Sequence, residues 1–142
     1  MKKILITGAA GFVGCHLARH LLQTYGANCA LTLIDNLQRG RMDDDFKGIV
    51  DDARVKFITL DVTDQNSYAQ LGNGYDYVYH LAAVNGTKLF YEIPHEVMRV
   101  NTLSLIYMLE WMQKENKNGK FCFTSSNEAY AGGLNAFGKL PI

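Results

Sequence analysis

The chain has 142 residues, 48% of them apolar, 20% charged and two of them proline. That is the make-up of one folded domain of ordinary size, able to bury roughly 70% of its unfolded surface, and it excludes a disordered or collagen-like chain. Fourteen basic residues balance fourteen acidic ones and the pI is near 6.9, so no basic excess points to nucleic acid or an anionic membrane as a partner.

Lys2 and Lys3 followed by the apolar run from Ile4 to Cys15 imitate an export signal, but Thr7, Gly8, Gly11 and Gly14 interrupt the run. It then continues into an amphipathic pattern with no cleavage region, and no stretch approaches the ~20 apolar residues of a membrane span. The three cysteines, Cys15, Cys29 and Cys122, are scattered and odd in number. They read as buried free thiols of a cytoplasmic protein, without metal spacing or a disulfide framework.

In chain order, Ile4-Leu5-Ile6 reads as a buried strand, and Phe12 to Tyr25 carries apolar residues at helical spacing until Gly26 and Asn28 stop it. Ala30 to Ile34 is a second strand ending at Asp35, and residues 36–53 are a polar loop with room for one short helix. Val55 to Leu60 is a third strand before Asp61, and Asp64 to Leu71 a short helix capped near Thr63 or Asp64. Tyr75 to Leu81 is a fourth strand; Pro94 suits the first turn of a long helix reaching about Lys114; Lys120 to Thr124 is a fifth strand. The last dozen residues, with Gly132, Gly133, Gly138 and Pro141, read as loop. Apolar strands alternating with helices imply a parallel sheet covered on both faces.

Between the first strand and first helix lies Gly8-Ala9-Ala10-Gly11-Phe12-Val13-Gly14. Glycines there let the chain reverse tightly, let the backbone approach a pyrophosphate and let the helix pack on the strand. The helix N-terminus then directs unpaired N–H groups and its positive dipole end at the phosphates. Asp35 closes strand two, about twenty residues on, where a carboxylate accepts hydrogen bonds from the adenosine ribose hydroxyls. It repels a 2′-phosphate and so favours NAD over NADP, a preference that Arg39 and Arg41 weaken slightly.

The spacing Thr7-Gly8-x-x-Gly11-x-x-Gly14 resembles the extended short-chain dehydrogenase/reductase superfamily, the nucleotide-sugar epimerases and dehydratases. Further similarities follow in register. Asp35-Asn36-Leu37 with Arg39-Gly40 resembles the family's strand-two turn, Asp61-Val62 its adenine-contacting pair, and His80-Leu81-Ala82-Ala83 its strand-four signature beside the cofactor. Asn101 resembles the asparagine of its long helix, and Ser125-Ser126-Asn127-Glu128-Ala129-Tyr130 its strand-five motif. The resemblance implies that Gly8, Ala10, Gly11, Phe12, Val13, Gly14, Asp35, Asn36, Asp61, Val62, Leu81, Ala82, Ala83 and Asn101 bind NAD. It implies that Ser126 holds the sugar hydroxyl and that Glu128 acts as a base, beside Asn127 where the dehydratases carry an ionisable Asp.

Tyr130 resembles the motif's structural tyrosine; the family's catalytic tyrosine belongs to a Tyr-x-x-x-Lys pair, and none of the eight tyrosines has lysine four residues later. The expectation is therefore a Rossmann-like doubly wound α/β domain of about five strands over 1–142. It would be the NAD-binding N-terminal portion of a longer nucleotide-sugar epimerase or dehydratase, stopping before the second half and the substrate domain and inactive alone. A stand-alone NAD-binding regulatory module, a nucleotide-sugar decarboxylase or reductase, and a non-catalytic interaction protein are the alternatives. His16 and His20 lack the glutamate of a zinc helix, and Gly133 to Lys139 lacks the Ser/Thr of a nucleotide-triphosphate loop. The helix 94–114 is apolar almost all round, which suits a homodimer or cover by segments beyond this chain.

Overall fold

The structure, a computed structural model, describes residues 1–126. Five parallel strands, β1 (Lys2–Thr7), β2 (Cys29–Asp35), β3 (Val55–Thr59), β4 (Tyr77–His80) and β5 (Lys120–Phe123), lie in the order β3-β2-β1-β4-β5. Ile4 sits beside Leu31 on one side and Tyr77 on the other. The chain thus winds outward from β1 to β3, returns across the sheet and winds outward again through β5. The reversal places a topological switch point between the carboxyl ends of β1 and β4, where open α/β sheets bind ligands.

Helix α1 (Phe12–Tyr25) buries Gly14, Ala18, Leu21 and Leu22 on one face and ends where Gly26, at φ 51°, returns its N–H to the Leu22 carbonyl. Arg54 caps the same end by donating to the carbonyls of Leu22 (2.9 Å) and Gly26 (2.7 Å), and Asp52 holds its guanidinium. Helix α2 (Asp44–Val50) begins at Asp43, whose carboxylate accepts the Phe46 N–H at 2.9 Å; Asp44 and Asp45 in its first turn suit the positive dipole end. Helices α3 (Thr87–Glu92) and α4 (Pro94–Glu115) fill the connection between β4 and β5.

Alternation along the strands splits the core in two. Ile4, Ile6, Leu31 and Leu33 pack with Ala18, Leu21, Leu22 and Phe46 beneath α1 and α2. Leu5, Ile34 and Val78 pack with Tyr68, Tyr75, Met108 and Trp111 on the opposite face. Both faces of β1 are therefore dry, as a central parallel strand requires.

The expected order of strands and helices holds, with differences at the joints. The short helix expected over Asp64 to Leu71 is a 3-10 helix, Gln65–Gln70, capped by Asp64, which accepts the Asn66 N–H at 3.0 Å. Strand β4 begins at Tyr77 because the buried Asn116 side chain occupies the Tyr75 backbone, accepting its N–H (2.7 Å) and donating to its carbonyl (3.1 Å). Helix α3 has no buried residue and no sequence signal. Of the three free cysteines only Cys29 is fully buried; Cys122 is exposed on β5, the outer strand among the described residues. Helix α4 buries Val97, Ser104, Met108, Trp111 and Met112, while Met98, Ile106 and Leu109 face outward.

Candidate functional site

Gly8 leaves β1 with φ +68°, and a Cβ there would stand 2.8 Å from the Ala82 nitrogen. A Cβ on Gly14 would stand 2.3 Å from the Gly8 carbonyl oxygen and 2.7 Å from the Ala9 Cα. The turn is therefore pressed against the β4 loop on one side and under α1 on the other, and only hydrogen fits at both contacts. Gly11 closes the reversal by donating its N–H to Gly8 (3.1 Å). The N-terminus of α1 follows directly, with no side-chain cap and no acidic residue in its first turn. It faces the turn as an open donor site for an anion.

Asp35 stands at the carboxyl end of β2. One of its oxygens accepts the Ala10 N–H (3.0 Å) and the other the Leu37 N–H (2.8 Å), so the carboxylate is fixed against the turn. Leu37 reaches it through a left-handed conformation, φ 58°. Around these groups opens a cleft of about 780 Å³, a size that suits a dinucleotide.

The switch point is braced from below. Thr7 Oγ1 accepts the N–H groups of Leu81 (3.2 Å) and Ala82 (3.1 Å), which leaves its own proton for His80 Nδ1 at 3.0 Å. His80 then carries its proton on Nε2, 3.3 Å from Ser104 Oγ, and Ser104 passes its own to the Asn101 carbonyl at 3.3 Å. Burial pushes the His80 pKa down to about 4.

Among the residues expected to bind cofactor, Gly8, Ala10, Gly11, Phe12, Val13 and Gly14 line the cleft, as do Asp35, Asn36, Asp61, Val62, Leu81, Ala82 and Ala83. Asn101 acts differently: its side-chain oxygen accepts the Val84 N–H (2.8 Å) and its amide donates to the Val84 carbonyl (2.9 Å), holding the β4 loop that borders the cleft. Asp61 turns its own loop by accepting the Thr63 N–H and hydroxyl, both at 2.8 Å.

Ser126 follows the carboxyl end of β5, exposed and outside the cleft lining; Thr124, two residues before it, is tied to the His80 carbonyl at 3.2 Å. Glu128, Asn127, Tyr130 and the Gly133 to Lys139 segment lie outside the described residues. His16, at the start of α1, packs its ring edge-on against Phe12 at 4.5 Å. Sequence reasoning missed the far wall, where Glu96 and Arg99 form an ion pair at 2.6 Å on the first turns of α4. Only the crossing of α4 over the sheet brings them there, and no motif marks them.

A glycine turn under an uncapped helix, a fixed carboxylate at the end of β2 and a cleft at the switch point define a Rossmann-like nucleotide-binding fold. The family model of the NAD dependent epimerase/dehydratase family matches residues 4–139, and the chain belongs to that family. NAD is the family's cofactor, and the uncapped N-terminus of α1 over the glycine turn, with the Asp35 carboxylate fixed beside it, fits that group. The chain is 33% identical over 138 residues to a UDP-N-acetyl-alpha-D-glucosaminuronate decarboxylase of Bacillus cytotoxicus, covering 96% of this chain and 40% of that protein. In structure it resembles the UDP-Glc/GlcNAc 4-epimerase of Campylobacter jejuni, with TM-score 0.80, 26% identity, and coverage of 92% and 39%. It also resembles the Bordetella bronchiseptica enzyme WbmF in complex with NAD+, with TM-score 0.76, 27% identity, and coverage of 89% and 37%. The chain thus spans about two fifths of the length of these relatives.

Proposed function

We propose that this chain is the NAD-binding domain of an enzyme that acts on a nucleotide-linked sugar through transient oxidation of a sugar hydroxyl. The observation carrying this is the pairing of the open α1 N-terminus with a ribose-level carboxylate locked to the same turn through Ala10. In this reading the backbone of Gly11, Phe12, Val13 and Gly14 receives the pyrophosphate. Asp35 and Asn36 receive the adenosine ribose, and Asp61 and Val62 receive the adenine. Leu81, Ala82 and Ala83 wall the far half of the cofactor. Asn101 is a positioning residue that acts through Val84.

When bound, NAD supplies the hydride acceptor. The chain's own part is to orient it, to keep water from its far half with Ala82 and Leu81, and to present Ser126 as a hydrogen-bond partner for the sugar hydroxyl, with Glu128 as base. No Tyr-x-x-x-Lys pair occurs in the 142 residues, so the phenolate that would take the hydroxyl proton is not supplied by them. The chain by itself binds NAD and turns over no nucleotide sugar. Similarity to a decarboxylase as well as to epimerases keeps the substrate class at nucleotide sugars without choosing the subtype.

No helix among the described residues is long and apolar enough to cross a membrane; the cytoplasmic reading rests on the three scattered free cysteines. The outward Met98, Ile106 and Leu109 of α4 support a homodimer through that helix. Calorimetric titration with NAD tests the central reading. Saturable heat with preference over NADP is expected, and no heat at millimolar NAD overturns it. Turnover of a UDP-sugar by the purified chain overturns the assignment of inactivity.

A further inference from the structure

The loop after β2 carries Arg39, whose guanidinium donates to the Asn85 carbonyl at 2.6 Å. Asn85 belongs to the loop after β4, and the sheet order places β1 between β2 and β4. A side chain that joins these two loops must pass over the carboxyl end of β1, where the glycine turn lies. The loop is held down at that point, because Gly40 packs so closely on Ala10 that a Cβ would stand 2.6 Å from the Ala10 Cβ. Arg39 therefore crosses the cleft above the open N-terminus of α1.

Its charge is also without an ion-pair partner among the described residues, and the acidic groups lining the cleft are taken up elsewhere. Asp35 holds two backbone N–H groups, Asp45 faces Arg19 at 3.4 Å, and Glu96 holds Arg99. The glycine turn offers a dianionic pyrophosphate N–H groups and a dipole but no cation. A guanidinium spanning the same place matches phosphate oxygens through its planar fork.

Resting on the NAD reading above, we infer that Arg39 is a pyrophosphate clamp that exchanges the neutral Asn85 carbonyl for phosphate oxygens when the dinucleotide enters. The exchange gives up one hydrogen bond to a neutral acceptor and forms charge-assisted ones. Arg39 thereby releases the β4 loop and anchors the β2 loop to the bound cofactor.

The test titrates the full chain and its Arg39→Gln and Arg39→Lys variants by calorimetry with NAD, ADP, adenosine and 2′-AMP. Arg39 is exposed, so both variants are expected to fold, as a thermal melt verifies. Arg39→Gln is expected to weaken NAD and ADP by a similar factor, about tenfold, and to leave adenosine unchanged. Arg39→Lys is expected to fall between. A loss confined to 2′-AMP overturns the clamp in favour of a 2′-phosphate contact. Unchanged or tighter NAD binding by Arg39→Gln overturns it as well. If the wild-type chain takes up no NAD, the underlying reading fails together with this one; if it binds NAD and the variant binds equally, only the clamp fails.

Discussion

Acidification from pH 6.5 to 4 should destabilise this chain through His80. In the folded state its imidazole is 2% exposed and its pKa lies at about 4 against an ordinary 6.5, because burial opposes the charged form. Protonation would also place a second proton on Nδ1, where Thr7 already directs its own. A folded pKa below the unfolded one means that, between pH 6.5 and 4, the unfolded chain binds more protons than the folded one. Unfolding free energy then rises with pH across that window and falls as pH drops through it, by up to about 1.4 kcal/mol per unit and about 3 kcal/mol in all. Above pH 6.5 the contribution is fully retained, and below 4 no further loss comes from this group. Urea denaturation at half-unit pH steps measures the effect, with His80→Asn as reference, since Asn keeps an acceptor for Thr7 and does not titrate. The variant should be less stable at neutral pH yet show a shallower decline, the difference in slope reporting His80 alone. Parallel declines in wild type and variant would refute the reasoning. If the variant does not fold, titration of the His80 ring proton by NMR in the wild type decides the matter, and a midpoint near 6.5 would refute it equally.

Gly14→Ala forces a Cβ to within 2.3 Å of the Gly8 carbonyl; a loss of about 1–3 kcal/mol by denaturation and a fall in NAD affinity are expected. Gly48→Ala in α2 is its control, with open space around the new Cβ, and should gain about 0.5–1 kcal/mol. Asn116→Ala strips both partners from the Tyr75 backbone and should cost about 2–4 kcal/mol in chemical denaturation; an unchanged midpoint would mean that water replaces the amide. Asp35→Ala should weaken NAD binding and narrow its preference over NADP, measured by paired titrations; an unaltered ratio would show that Asp35 does not read the ribose. Ile106→Glu with Leu109→Glu should halve the sedimenting mass if α4 pairs copies, and an unaltered mass removes that interface.

How much of this was readable depended on whether the determinant is local. Helix α1 begins and ends where its residues say it should, because the glycines before Phe12, the apolar face at Ala18, Leu21 and Leu22, and the stop at Gly26 all sit within one stretch of chain. The cap at Asp64 is legible for the same reason, its carboxylate lying two residues from the Asn66 N–H it accepts. Tyr75 was misread as strand because it is apolar and aromatic. Its backbone partner, Asn116, lies 41 residues away at the far end of α4, and no local pattern announces it. Helix α4 reads as apolar all round because burial of Met108 and exposure of Leu109 depend on which side meets the sheet, not on their chemistry.

The site divides along the same line. Gly8 is set against Ala82, Gly14 against Gly8, and Gly40 against Ala10, so the cradle is a stack of backbone contacts in which each missing Cβ is demanded by packing. Such demands leave glycine in the sequence, and glycine is conspicuous. The charges around the cradle are under no such demand. Arg39 meets Asn85 across 46 residues, and Glu96 and Arg99 reach the wall only because α4 passes it. An arginine in a polar loop looks the same in the sequence whether it crosses a binding cleft or waves in solvent. A glycine turn can therefore announce a phosphate from sequence alone, while the cation that answers the phosphate becomes visible only once the sheet order is known.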